Sequence, residues 1–264
     1  MKIGLLNENS QASKNSIIYN ELKKVCDKKE YELFNYGMND NSSANLTYVQ
    51  LGLLASILLN TKAVDFIITG CGTGQGAMMA LNSFPGVFCG LAVDPTDAYL
   101  FSQINAGNAI SIAYAKGFGW GAELTLKNIF ENLFKEEFGL GYPKERAESE
   151  KTNREKLKDI KLVTTNNLLT ILKTIDKEFL YNTINNEYFI NNFFKNSKDE
   201  EISKYLREIL NMKNWLFESS IKKLKKRINI FNSFFIIYSS QKYYIIITRG
   251  DGMTVLIVDD EERI

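Results

Sequence analysis

The chain has 264 residues, 45% of them apolar and 24% charged, enough for one large domain with a proper core or for a domain with an appendage. Its 32 Lys and Arg balance 31 Asp and Glu, so a net charge of +1 gives no electrostatic case for a nucleic-acid partner. It contains no histidine, which excludes Ser-His-Asp and Cys-His triads and His-ligated zinc, and leaves proton transfer near neutral pH to Cys, Asp, Glu, Lys or Tyr.

The amino terminus, MKIGLLNENSQ, turns polar too soon for a signal peptide, and no apolar run reaches the roughly 18 residues of a membrane span. KIGLL (2–6) reads as a buried strand and SIIYNELKKVCDKK (16–29) as a helix with Ser16 as its cap. A second strand is expected in YELFNYG (31–37), a helix in LTYVQLGLLASILLN (46–60) and a third strand in AVDFIITG (63–70). A glycine loop leads into the helical GAMMALNSF (76–84), then GVFCGLAV (86–93) forms a fourth strand ended by Asp94-Pro95. PTDAYLFSQIN (95–105) is helical, AISIAYA (109–115) a fifth strand and AELTLKNIFENLFKEEF (122–138) a further helix. Strands alternating with helices imply an α/β fold, a mostly parallel sheet covered on both faces.

A charged connection, GYPKERAESEKTNREKLKDIKLV (141–163), leads to helices expected in 166–184 and 197–213. The organisation predicted is a first domain over 1–160, a C-terminal helical extension over 161–212 and an appended tail over 213–264. The tail is rich in Phe, Ile and Tyr without an amphipathic register, and composition allows either a strand or two or disorder. Its end, MTVLIVDDEERI, resembles the opening strand and acidic pair of a response-regulator receiver domain, without the later phosphoacceptor aspartate.

Function concentrates in DFIITGCGTGQGAMMA (65–80). Strand, glycine loop and helix start bring backbone N–H groups and the positive end of a helix dipole to one point, which binds an anion. Gly72, Gly74 and Gly76 let the backbone approach closely, and Thr73 adds a hydroxyl. One reading is dinucleotide binding: residues 72–77 satisfy G-x-G-x-x-A, with Asp94 about 20 residues on. That fingerprint belongs to the first strand–helix unit of a domain, however, and here it follows the third strand. The other reading takes Cys71 as the working group, since a thiol beside several N–H donors has its thiolate stabilised. The bland alternative is a small buried residue at a strand end, the fate expected for Cys26 and Cys89. Three widely spaced, unpaired cysteines fit a reduced cytoplasmic setting.

The stretch GCGTGQGAMMALNSFPGVFCGLAVDPTDAYLFSQINAGNAISI (70–112) resembles the ribose-5-phosphate isomerase B and galactose-6-phosphate isomerase family. The Cys-Gly-Thr-Gly-x-Gly loop, Leu81-Asn82, the Pro-Gly before the next strand and the Asn-x-x-Asn of Asn105 to Asn108 fall in family order, and the likeness covers about residues 1–135. It implies a Rossmann-like doubly wound parallel sheet and a homodimer or dimer of dimers with sites at the subunit interface. It also implies aldose–ketose isomerisation through an enediolate, without cofactor or metal. By position Cys71 matches the base and Thr73 the side chain beside it. Gly72, Gly74 and Gly76 match the anion hole, Asn105 its asparagine and Tyr48 a tyrosine near the sugar.

The departures narrow the substrate. Glu8 and Asn9 stand where many members carry Asp-His, and Ile104 stands where they carry the ring-opening histidine. Glu8 is then the second candidate acid–base group and Asn9 a substrate contact, while Arg146 and Arg154 are the arginines available for the substrate's anionic group. Such a site suits an open-chain, unphosphorylated substrate. The sequence looks like the longer members acting on 4-deoxy-L-threo-5-hexosulose uronate, an open-chain keto-aldehyde from unsaturated uronic acids of glycosaminoglycans. Alternatives are a pentose- or hexose-phosphate isomerase, a non-catalytic sugar-acid sensor and a nicotinamide-dependent reductase.

Overall fold

The structure, a computed structural model, describes residues 1–38 and 45–212 together with the backbone of 234–239, 242–249 and 252–258. Five parallel strands form the central sheet: β1 (Lys2–Asn7), β2 (Glu32–Asn35), β3 (Phe66–Cys71), β4 (Cys89–Ala92) and β5 (Ala109–Ala113), in the order β2-β1-β3-β5-β4. The order reverses between β1 and β3, since β2 lies to one side of β1 and all later strands to the other. Loops leaving the carboxyl ends of those two strands therefore diverge and open a crevice, the usual ligand position in a doubly wound sheet.

Helices α1 (Asn15–Lys28), α4 (Pro95–Leu100) and α5 (Ala122–Leu133) cover one face, where Ile3, Leu5, Phe66, Ile68, Ile110 and Ile112 point. The other face carries Leu6, Ile67, Cys71 and Cys89 under α2 (Tyr48–Asn60) and α3 (Gln75–Asn82). The alternation along β1 and β3 is the period-two consequence of the strand pleat. A capping box opens α2, with the Thr47 N–H donating to Gln50 Oε1 at 2.9 Å. Every residue of α2 from Gln50 to Leu59 is buried. Gly52 is the close-approach point: a Cβ there would stand 2.4 Å from the Ala80 carbonyl oxygen of α3.

A helix apolar all round must be covered on its outer side too. The cover comes from α7 (Leu168–Thr174), α8 (Lys177–Ile184), α9 (Glu187–Asn196) and α10 (Glu200–Leu210), which contribute Leu172, Leu180, Phe193 and Leu206 to the same cluster as α2. Phe189 and Phe193 stack at 4.5 Å within it. The long α6 (Ala147–Thr164) buries only Glu150.

Several boundaries differ from the sequence expectation. Asn9–Lys14 winds as a 3-10 helix straight into α1, so Ser16 lies inside the helix and caps nothing. The helix expected over 95–105 becomes π-helical over Phe101–Asn105 and closes on Ala106 at φ 41°. The segment 166–184 breaks at Asp176, whose carboxylate accepts from the Phe179 N–H at 2.8 Å and starts α8. Within the tail, β6 (Phe234–Ser239), β7 (Lys242–Arg249) and β8 (Gly252–Val258) pair as a three-stranded antiparallel sheet, more regular than composition suggested. The acidic residues at 259–262 lie outside the described residues. The chain divides into two compact units, 1–212 and 213–264.

Candidate active site

Cys71 is the last residue of β3, with its side chain on the α2/α3 face and only 8% of its surface accessible. Its carbonyl accepts from the Tyr114 N–H at 3.1 Å, and the Gly72 carbonyl accepts from Ala115 at 2.9 Å, so β5 carries the loop past the end of the ladder. Gly74 takes a left-handed φ of +73°, and a Cβ there would meet Leu91 Cδ1 at 2.5 Å. The Gly74 carbonyl is tied to the Ser111 hydroxyl at 2.7 Å, and Thr73 Oγ1 accepts from the Gln75 N–H at 3.3 Å. Gly76 is the second residue of α3, in the first turn, whose amides have no carbonyl one turn back to bond.

Across the switch point, β1 delivers Glu8 and Asn9. The Glu8 N–H donates to the Gly70 carbonyl at 3.2 Å, placing Glu8 one residue past the strand end, level with Cys71. Asn9 donates from its backbone to Leu46 at 2.8 Å and from its side chain to Asn45 Oδ1, tying this loop to the entry of α2. Tyr48, at the first position of α2, is half exposed and lies against Gly76. The chain thus gathers Glu8, Asn9, Tyr48 and residues 71–76 at one end of the sheet.

Asn105, Arg146 and Arg154 do not join them within one chain. Asn105 is exposed and precedes the start of β5, whereas Cys71 pairs with Ala113 at its end. Four strand residues separate those levels by about 13 Å. Arg154 stays near Asn105, donating to the Ile104 carbonyl at 2.8 Å and to Gly139 at 3.4 Å, and Arg146 lies exposed 3.9 Å from Glu150.

The other two thiols are held protonated by their environment. Burial pushes Cys26 up to about 12 and raises Cys89 as well. The backbone N–H and C=O of Cys89 are both bonded by the Asn82 side chain, at 2.9 and 2.8 Å, which fixes the start of β4. Sequence reasoning missed a further group: Gln11, bonded to Lys14, lies between Glu8 and the glycine loop. The signal available was their spacing of three on a helical turn.

Residues 3–152 match the family model described as Ribose/Galactose Isomerase, and 163–209 match one described as Ribose-5-phosphate isomerase. The chain belongs to the ribose/galactose isomerase family. The isomerase is 59% identical to a solved 4-deoxy-L-threo-5-hexosulose-uronate ketol-isomerase complexed with a tartrate, over 80% of this chain and 100% of that one, with a TM-score of 0.78. It is 47% identical to a ribose-5-phosphate isomerase from Vibrio parahaemolyticus, over 80% of this chain and 99% of that one, with a TM-score of 0.77. A type B ribose 5-phosphate isomerase from Trypanosoma cruzi, 16% identical over 62% of this chain and 99% of that one, shares the fold at a TM-score of 0.52. None of the curated protein sequences compared with the isomerase matches it. Among the described residues no helix is long and apolar enough to cross a membrane.

Proposed function

We propose that this chain interconverts an open-chain aldose and ketose, with 4-deoxy-L-threo-5-hexosulose uronate as its substrate. The observation that carries the substrate is the absence of any imidazole in the chain, with isoleucine at the position of the ring-opening histidine. Opening a furanose needs a group that takes a proton from one oxygen and gives one to another. A free keto-aldehyde skips that step. The 59% identity to a uronate ketol-isomerase supports the same choice.

In this reading the Cys71 thiolate takes the C2 proton while the electron pair moves into a C1–C2 double bond and the C1 oxygen becomes anionic. Amides of the loop through Gly72, Gly74 and Gly76 hold that oxygen, and Thr73 donates beside them. The thiol then returns the proton to C1, and Glu8 carries a proton from the C2 hydroxyl to the C1 oxygen, so atoms and charge balance. Asn9 and Tyr48 hold the sugar chain.

The enzyme works as a homodimer, or a dimer of dimers, in which Asn105, Arg146 and Arg154 of one protomer reach the Cys71 loop of its partner. The position of Asn105 before the start of β5, with Arg154 bonded beside it, supports this, since Cys71 pairs at the far end of that strand, as do the exposed Leu157, Ile160, Leu162 and Val163 on α6. The partner's arginines then meet the substrate carboxylate. Three free cysteines fit a reducing cytoplasm.

Parallel assays against the uronate, ribose 5-phosphate and galactose 6-phosphate test the substrate: equal kcat/KM for ribose 5-phosphate replaces this reading with a phosphate isomerase. Solvent deuterium that fails to enter C1 or C2 of any of them leaves a sugar-acid binding protein. Mixing inactive Cys71→Ser and Arg154→Ala chains tests the shared site. A two-fold dimer recovers about a quarter of wild-type activity, and a site built from one chain recovers none.

A further inference from the structure

We propose that Lys14 and Gln11 are positioning residues that hold the Glu8 carboxylate at the crevice through a one-way chain of hydrogen bonds. The proposal rests on the acid–base role given to Glu8 above. Lys14 Nζ donates to Gln11 Oε1 at 2.9 Å, Gln11 Nε2 donates to Ser10 Oγ at 2.7 Å, and Ser10 Oγ donates to Glu8 Oε2.

The direction of this chain is chemically forced. An ammonium has only donors, so the amide of Gln11 must turn its oxygen to Lys14 and its nitrogen to Ser10. The hydroxyl of Ser10 accepts from that amide and has one proton left, which it gives to Glu8. The carboxylate is therefore fixed as an acceptor at one oxygen, and its other oxygen is left for the substrate. A protonated Glu8 can still give its proton from that second oxygen.

The anchor is rigid. Lys14 also donates to the Tyr114 carbonyl at 2.9 Å, beyond the end of β5, and lies over the Phe118 ring at 4.6 Å from its centroid. Gln11 is 5% exposed and its backbone N–H donates to the Glu8 carbonyl at 3.0 Å. Its Nε2 stands 3.8 Å from where a Cβ at Gly72 would be. The chain thus spans from β5 across the glycine loop to the loop after β1, and sets Glu8 relative to Cys71. A group that moves a proton between neighbouring oxygens loses rate steeply when displaced by about an ångström.

The full-length chain is assayed on the uronate as Lys14→Met, Lys14→Arg, Glu8→Gln and the double variant Glu8→Gln/Lys14→Met, with kcat, KM and Tm read for each. Lys14→Met is expected to lower kcat about tenfold with KM within about twofold, because the interaction acts on the step and not on uniform binding. Lys14→Arg keeps the donor and the charge and restores most of the rate. In the Glu8→Gln background Lys14→Met adds less than about twofold, the non-additivity of residues acting as a unit. Ser10→Ala, which cuts the chain at an exposed position, carries the same test should Lys14→Met fail to fold. Wild-type kcat in Lys14→Met beside an impaired Glu8→Gln overturns the proposal, as does an equal further loss in the double variant. Full activity in Glu8→Gln overturns the role of Glu8 itself and leaves the Cys71 assignment standing.

Discussion

The Tyr48 ring covers Gly76, with three of its atoms 3.3–3.7 Å from where a Cβ at that glycine would stand. A side chain at Gly76 would thus press on the ring and would not strain its own backbone, since Gly76 sits in a helical turn where alanine is the better residue by about 1 kcal/mol. Gly76→Ala should leave Tm unchanged or slightly raised while pushing the half-exposed tyrosine outward. The expected result is a KM increase of severalfold with little change in kcat, read from steady-state kinetics beside a thermal melt. A fall in Tm of more than a few degrees would show that the glycine serves the fold.

Cys71→Ser should lose roughly two to four decades of kcat, the usual size of general-base catalysis, because a hydroxyl is a far weaker base. Cys89→Ser is the control and should change stability more than rate. Near-full activity in Cys71→Ser would move suspicion to Glu8.

Asn82 brackets both backbone groups of Cys89 and its own carbonyl accepts from Lys161 Nζ at 2.9 Å. Asn82→Ala leaves a half-buried N–H and C=O at the start of β4 unpaired, at a cost of about 1–3 kcal/mol. A urea titration should show a lower midpoint with an unchanged slope. Wild-type stability would mean that water replaces the amide without loss.

The chain should lose stability in alkali. Burial raises Cys26 from 9.0 to about 12 and also raises Cys89, Tyr36 and Tyr114 above their ordinary values. Above about pH 9 the unfolded chain gives up these protons while the folded chain keeps them, so unfolding is favoured as pH rises. Lys161, lowered by its burial, acts in the opposite sense as pH approaches 10.5. Chemical denaturation between pH 7 and pH 11 should show a plateau and then a decline, shallower in Tyr114→Phe. A flat profile would mean that water reaches these groups.

The parallel sheet was legible from strands alternating with helices along 2–138, and the glycine loop because its β-branched run, glycine spacing and helix start lie within sixteen residues at 65–80. The switch point was not, since it depends on which strands pair. The break at Asp176 was hidden because 166–184 keeps helical spacing across it, and only the Asp176 cap marks the restart. The helix at Glu187–Asn196 was missed because its apolar face is built of phenylalanines among asparagines, weak helix formers that packing overrides. Among the candidate residues, Glu8, Tyr48 and residues 71–76 converge in one chain, while Asn105 and Arg154 lie at the other end of β5, a separation that residue order cannot reveal.

Ending the chain after Met212 should leave a folded, active isomerase, because the buried clusters described on both sheet faces draw on residues up to Met212 and the tail forms a separate unit. Size-exclusion chromatography and the uronate assay check this. Insoluble truncated protein would show that the tail completes the core.

Helix α2, buried from Gln50 to Leu59, makes the chain dependent on its cover. Solved type B relatives align over 62% of this chain and 99–100% of their own, so the fold exists in bodies too short for the added helices. In this chain the outer side of α2 is apolar under that cover. Removing α7–α10 would expose that apolar side to water, so a shorter version of this chain would need several polar substitutions on α2.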